Sequence, residues 1–318
     1  MGPIVVETAA RWRDYAPLVE ALEPGVPGPE ALARRVLLDP NFEPGGALVV
    51  RRGGEAVGGA VAIARRVPLE NAPPDAERGY VTLLAVDPRH RRQGIGGALV
   101  EAAEAYLAVR GCTSVWVSPY APGYFVPGVD VEAHAEALRL LARHGYGEVY
   151  RPLAMRTSLP ALASPSWVDD RERALAPEYG VRTFSPDLAF PLLEFVQRVF
   201  PGDWVRVVRE TGARILQGEP PTRLFVAVRA DGRVVGFSHH EADRFGPIGT
   251  DPEVRGLGLG QVLMFRTLHA QRAEGHAEAY FLWSDDRTAR RLYDAARFRE
   301  WRRFAVLKKS ISPRPSLV

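Results

Sequence analysis

Asp87-Pro-Arg-His-Arg-Arg-Gln-Gly-Ile-Gly-Gly-Ala-Leu99 and Asp251-Pro-Glu-Val-Arg-Gly-Leu-Gly-Leu-Gly-Gln-Val-Leu263 are the two stretches on which the reading of this chain turns. Every matched residue is displaced by the same 164 positions (251 minus 87, 258 minus 94, 263 minus 99), and Gly111 pairs with Gly275 in that frame. A constant offset across a mixed polar and apolar string marks an internal duplication. The boundary between copies is expected after Ser158, where Leu159-Pro-Ala-Leu-Ala-Ser-Pro-Ser-Trp167 interrupts the periodic pattern with proline and serine. The expected layout is a first domain over 1–158, a linker over 159–178 and a second domain over 179–318.

Within each copy strands and helices alternate. In the first, Ala47 to Arg51 and Ala56 to Ala64 read as strands around the turn Arg52-Gly53-Gly54, and Tyr80 to Val86 as a third. After the glycines, Ala98, Leu99, Ala102, Ala103, Tyr106 and Leu107 recur at helical spacing. Ser114 to Val117 is a strand, Glu132 to Arg143 a helix, and Leu153 to Thr157 a closing strand. The second copy repeats the order with strands Leu224 to Val228 and Val234 to His240, and a helix Gly258 to Arg272. Strand Ala279 to Leu282, helix Arg287 to Ala295 and closing strand Trp301 to Leu307 follow. Hairpins mixed with helices give an α+β fold, each copy a mostly antiparallel sheet flanked by helices, rather than a doubly wound parallel sheet.

Bulk composition fits a two-domain globular protein: 318 residues, 46% hydrophobic and 25% charged. The single cysteine, Cys112, closes no internal disulfide and removes any cysteine-based zinc site, which suits a reducing cytoplasm. The opening MGPIVVETAARWRDY lacks a basic stretch followed by an apolar run, and nowhere do about 18 apolar residues run together. The chain is therefore expected to be cytoplasmic, with no membrane partner. A net charge of +3 raises nucleic acid as a partner, but arginines are interleaved with acids, as in Asp169, Asp170, Arg171, Glu172 and Arg173, and the only lysines are Lys308 and Lys309. No nucleic-acid partner is expected.

The chemistry sits where a strand passes through glycines into a helix. A helix start offers unpaired amides and the positive end of the dipole, and glycine lets backbone approach an anion. Arg91, Arg92 and Gln93 before Gly94, and Arg255 before Gly258, add side-chain contacts to a phosphate there. A tight turn needs glycine on geometric grounds too, so one copy alone is weak; two in register are not. Leu99 breaks a dinucleotide fingerprint, and no Gly-Lys-Ser or Gly-Lys-Thr tripeptide supplies a triphosphate loop.

At these residues the chain resembles the GNAT acyltransferases, whose motif is Gln or Arg, two residues, Gly, any residue, then Gly or Ala. Arg91-Arg-Gln-Gly94-Ile-Gly96 and Arg255-Gly-Leu-Gly258-Leu-Gly260 both match it. The resemblance implies a coenzyme A diphosphate held by amides of Arg92, Gln93, Gly94, Ile95, Gly96 and Gly97, and of Gly256, Leu257, Gly258, Leu259, Gly260 and Gln261. It implies that Leu84, Ala85 and Val86, and Gly249 and Thr250, bond the pantetheine arm like an added strand. It further implies acetyl-CoA as donor, a small amine as acceptor, no metal, and a monomer or homodimer. The two-domain layout looks like that of tandem members of the family.

Family chemistry is attack of an amine on the thioester, so proton sites are sought. Many members carry a tyrosine acid within Asn, two residues, Ala, three residues, Tyr. Asp286-Arg-Thr-Ala289-Arg-Arg-Leu-Tyr293 keeps the tyrosine, which implies Tyr293 as acid; packing of the helix onto the sheet is the alternative. In the first copy Leu141 stands at that position. The offset there is 152 (289 minus 137), twelve short of 164, so the first copy holds twelve extra residues, assigned to the loop Pro119 to Asp130. That loop reads either as a substrate contact or as a structural cover. Family bases are often carboxylates on or near the fourth strand, which makes Glu241 or Asp243 the base candidate. His239 and His240 read as solvent-facing rather than as metal ligands, because strand neighbours alternate faces and no third ligand follows. Trp204 and Trp283 line an acceptor pocket or belong to the core. The asymmetry of Tyr293 against Leu141 favours catalysis in the second copy. A catalytic first copy, or a non-catalytic acyl-coenzyme A sensor, are the rivals.

Overall fold

The computed structural model describes residues 3–9, 14, 36–117, 120, 123–200, 202–219, 222–286 and 292–313. The first half forms strands β1 (Val6–Thr8), β2 (Ala47–Arg52), β3 (Glu55–Ala64) and β4 (Arg78–Val86), helix α1 (Ile95–Val109), strands β5 (Ser114–Val117) and β6 (Val129–Asp130), helix α2 (Ala135–Arg143) and strand β7 (Gly147–Tyr150). The second half forms β8 (Leu153–Ser158), α3 (Ser166–Leu175), β9 (Tyr179–Thr183), α4 (Ala189–Val199), α5 (Trp204–Leu216), β10 (Thr222–Arg229) and β11 (Val234–Glu241). It ends with β12 (Arg244–Thr250), α6 (Leu259–Ala273), β13 (Glu278–Ser284) and β14 (Arg299–Ser310). The α+β expectation holds, and no helix among the described residues is long and apolar enough to cross a membrane.

The 164-residue offset is a structural repeat. Helices α1 and α6 start and stop 164 positions apart (259 minus 95, 273 minus 109), as do the ends of β4 and β12 (250 minus 86). Helix α1 buries Ile95, Leu99, Val100, Ala103 and Leu107, one face at helical spacing, against Val57, Ala60 and Ala62 of β3. The helix expected over Arg287 to Ala295 falls largely on 287–291, outside the described residues; Asp294–Ala296 is a single 3-10 turn.

The chain divides into two compact units. Unit 1 is Met1–Pro68, Pro73–Pro152 and Arg303–Val318; unit 2 is Leu69–Ala72 and Leu153–Arg302. In unit 1 the strand order is β1-β2-β3-β4-β5-β14, with β6 and β7 also bonded to β14. In unit 2 it is β9-β10-β11-β12-β13-β8. Pairing is antiparallel except between β4 and β5 and between β12 and β13.

This corrects the expected ends of both domains. Leu153 to Thr157 is a strand but closes the sheet of unit 2, with Glu278 opposite Ser158 and Phe281 opposite Met155. The strand at the chain's C-terminal end closes unit 1, with Leu307 opposite Val117 and Ser310 opposite Ser114. The boundary thus lies at Pro152 rather than after Ser158, and the span 159–178 contains helix α3, part of unit 2. Strand propensity is a local property, whereas the choice of partner strand is not, so the exchange was invisible to periodicity.

Candidate functional site

The glycine loops adopt one geometry twice. Asp87 accepts a bond from the Arg89 amide at 2.8 Å and Asp251 one from the Glu253 amide at 3.1 Å, each capping a 3-10 turn that begins with proline. The chain then turns through left-handed residues: Arg92 (φ 61°) and Gly94 (φ 85°) in unit 1, Gly256 (φ 87°) and Gly258 (φ 88°) in unit 2. Gly94 and Gly258 are the N-caps of α1 and α6, and neither helix has a side-chain cap. The amides opening each helix are therefore left for an anion, which the helix dipole also favours, except that in unit 2 the Gln261 amide donates to the Gly258 carbonyl at 3.0 Å and the Leu257 amide to the Val254 carbonyl at 3.4 Å.

Beside the loop of unit 1 the sheet opens. Parallel pairing of β4 with β5 runs only from Arg78 opposite Ser114 to Val81 opposite Val117. Beyond it, Leu83 to Val86 keep their bonds to β3 and have no partner on the β5 side among the described residues, which exclude 118 and 119. Unpaired strand edge is what an amide-bearing chain can pair with. Here lies a cavity of about 500 Å³ lined by Leu84, Ala85 and Val86, by Arg91, Arg92, Gly94, Ile95, Gly96 and Gly97, and across from them by Phe125, His134, Leu141 and Arg143. It thus joins the expected arm strand and the expected anion loop in one space; of the unit 1 residues only Gln93 does not line it. Helix α2 packs close on the first turn of α1: a Cβ at Gly96 would stand 2.9 Å from Leu140 Cδ2, and one at Gly97 3.2 Å from His144 Nε2. These two glycines are thus required by helix contact as well as by the loop. The loop from 119 to 130 contributes Phe125, Val126, Gly128 and Val129 to the wall; residues 118, 119, 121 and 122 lie outside the described residues.

Unit 2 carries the same loop but different surroundings. A Cβ on Gly249, the counterpart of Ala85, would stand 2.3 Å from Phe200 Cζ, so the glycine leaves a notch that the Phe200 ring fills. Phe200 stacks on Trp204 at 4.4 Å and meets Phe237 edge-on at 6.0 Å. Arg198, at the end of the same helix α4, bonds Asp251 at 2.6 Å. Over Gly258 lies the stem of Arg171, with Cγ 3.0 Å from where a Cβ would be. Thr250, Arg255, Gly256, Leu257, Leu259 and Gly260 keep their places around this loop, and Thr250 Cγ2 lies 3.7 Å from a Cβ at Gly260.

The catalytic candidates Tyr293, Glu241 and Asp243 belong to unit 2. Tyr293 is 7% exposed and packs among Phe281 (4.4 Å), Phe298 (5.4 Å) and Phe245 (6.3 Å). Burial, with the charge of Asp285 behind it, holds its hydroxyl well above the ordinary phenol range. Glu241 ends β11 and pairs with Arg214 Nη1 at 2.9 Å. Asp243 receives the Tyr280 amide on its main-chain oxygen at 3.1 Å. Trp204 is in the aromatic cluster just described, whereas Trp283 is 41% exposed.

The histidine expectation is overturned. His239 and His240 are both buried, because β11 is an interior strand with α6 on one side and α4 on the other. Burial pulls His239 down to about 4 and lowers His240 too, with Glu274 opposing the latter shift. His240 Nδ1 lies 3.1 Å from the Ala242 carbonyl. Among the described residues no three His, Cys, Asp or Glu side chains are grouped to hold a metal ion.

Comparison with known proteins gives a consistent picture. The model of the Acetyltransferase (GNAT) family matches residues 15–146 and 191–298. A mycothiol acetyltransferase of Thermomonospora curvata is 33% identical over 274 residues, covering 80% of this chain and 80% of its own. A crystal structure of a GCN5-related N-acetyltransferase from Sphaerobacter thermophilus aligns with a TM-score of 0.69 at 23% identity over 99% of this chain and 97% of its own. A tandem GNAT protein from the clavulanic acid biosynthesis pathway aligns at 0.63 and 18% identity, covering 97% of this chain and 98% of its own.

Proposed function

The chain belongs to the GNAT acetyltransferase family, whose donor is acetyl-CoA, and from that premise we propose that it moves the acetyl group to a small amine with the coenzyme held in unit 1. The observation that carries this reading is that one cavity is lined both by Leu84, Ala85 and Val86 and by Arg91, Arg92, Gly94, Ile95, Gly96 and Gly97. The diphosphate sits on the amides following Arg92, and the arm pairs with the free edge of β4. The amine lone pair attacks the thioester carbon, a C–N bond forms, the C–S bond breaks, the amine gives up a proton and the thiolate takes one. Leu141, a cavity residue, stands where the family tyrosine would be, so positioning supplies most of the acceleration in unit 1.

Turnover in unit 2 is the second reading, with Tyr293 as acid and Glu241 as base. It rests on the retained tyrosine motif and on the duplicated loop geometry; the Phe200 ring in the Gly249 notch and the packing around Tyr293 count against it. Replacing each N-cap glycine with a bulky residue separates the two. Gly94→Trp is expected to abolish acetyl-CoA binding by titration calorimetry and thiol release with a panel of amines, while Gly258→Trp preserves both. The reverse pattern, together with a large loss of turnover in Tyr293→Phe, assigns the reaction to unit 2. Tight binding without release on any amine indicates a sensor. The name of the Thermomonospora relative puts a mycothiol-type amine first on the panel.

A further inference from the structure

Among the described residues, arginines are mostly matched to carboxylates: Arg65 to Asp75 at 2.7 Å, Arg206 to Asp203 at 2.6 Å, Arg209 to Glu70 at 2.6 Å, Arg214 to Glu241 at 2.9 Å. The unit 1 cavity departs from that habit. Arg91, Arg92 and Arg143 all line it, and Glu136 is the only carboxylate among its lining residues. Glu136 lies 3.9 Å from Arg92 and 3.8 Å from Arg139, so its charge is already shared. Among the described residues, Arg91 and Arg143 have no carboxylate within ion-pair distance; Arg91 donates instead to the Val86 carbonyl at 3.2 Å. Excess cation around a cavity of this size calls for a polyanionic ligand.

The positions of these cations divide the work. Arg91 and Arg92 belong to the loop that leads into the first-turn amides, and with those amides they suffice for a diphosphate. Arg143 comes from the last turn of the facing helix α2. The neighbouring Leu140 and His144 bear on Gly96 and Gly97, which brings that turn over the start of α1. A cation there faces the anion loop from across the cavity, beyond what the diphosphate needs. Coenzyme A carries one more anionic group close to its diphosphate, the ribose 3′-phosphate, a monoester with a charge of roughly −1.5 to −2 at neutral pH.

We propose that Arg143 recognises the 3′-phosphate of the coenzyme and so makes unit 1 select coenzyme A over 3′-dephospho-coenzyme A. The assignment rests on the unit 1 reading above. The guanidinium is exposed, so solvent weakens the pair and the expected selectivity is roughly threefold to tenfold. Titration calorimetry of the full chain with both ligands tests it. Wild type is expected to bind coenzyme A more tightly by that factor; Arg143→Gln should lose the difference by weakening coenzyme A alone, and Arg143→Lys should restore part of it. Circular dichroism checks that the variants are folded. Equal weakening of both ligands in Arg143→Gln would place the guanidinium on the diphosphate and overturn the proposal, as would no change with either. Binding of 3′-dephospho-coenzyme A that persists in wild type and disappears in Gly94→Trp keeps the unit 1 reading standing whatever Arg143 does; absence of binding by wild type overturns both.

Discussion

The fit between Gly249 and Phe200 lends itself to a double-mutant cycle. The backbone at Gly249 is not left-handed, so a methyl group there is opposed by sterics alone, and the 2.3 Å approach to Phe200 Cζ is far inside contact distance. Phe200 is held by Trp204, Phe195 and Phe237, so the ring cannot simply swing aside. Overpacking of this kind costs about 1 to 3 kcal/mol, and we take about 2 kcal/mol for Gly249→Ala. Phe200→Ala removes a half-buried ring and costs about 3 kcal/mol, the low end for a buried phenylalanine. In the double variant the methyl meets only the space the ring vacated, so its own cost vanishes and part of the hole is filled. The pair should therefore be about 2 kcal/mol more stable than the sum of the single effects. Urea unfolding followed by circular dichroism measures all four corners. Additivity within about 0.5 kcal/mol would refute the claim that the glycine is there to receive the ring.

Two further outcomes follow from buried groups. His239 is neutral in the folded chain, with its pKa pulled from 6.5 to about 4, so the unfolded state binds the extra proton first; stability falls as pH drops from about 6.5 to about 4, by about 3 kcal/mol at most. The difference in unfolding free energy between wild type and His239→Asn should grow less negative for the variant over that window, and a pH-independent difference would dismiss the linkage. Cys112 is fully buried and its thiol is pushed up to about 11 by desolvation, so at pH 8 it should resist maleimide until urea unfolds the chain; prompt labelling of native protein would contradict its burial.

Much of the architecture could be read from the residues. The loop, its flanking strand and its helix recur at a fixed offset because local geometry demands the same types in both copies: aspartate to cap the turn, proline to start it, glycine where φ is positive. Where side chains from distant segments meet, the reading fails for a physical reason. Phe200 sits in Val199-Phe-Pro-Gly-Asp203, a string that looks like an ordinary corner; the available hint was that Ala85 becomes Gly249 in the second copy, a lost methyl awaiting a neighbour. His239 and His240 read as solvent-facing from the sequence, but a strand covered on both sides buries both neighbours. Arg143 stands at a helix end, where the dipole alone favours a cation, so nothing in the sequence sets it apart. The cavity shows instead which loop it confronts.

The traded closing strands also set a timetable. Residues 153–302 contain every described strand of the unit 2 sheet, whereas the unit 1 sheet lacks an inner member until residues 303–310 have been made. On a ribosome unit 1, although begun first, is therefore completed after unit 2, the reverse of the usual order for multidomain chains. Until then β5 presents an open hydrogen-bonding edge, a surface that invites pairing with other nascent chains. A stop just short of residue 303 is accordingly more damaging to the sheet of unit 1 than to the unit in which the truncation falls.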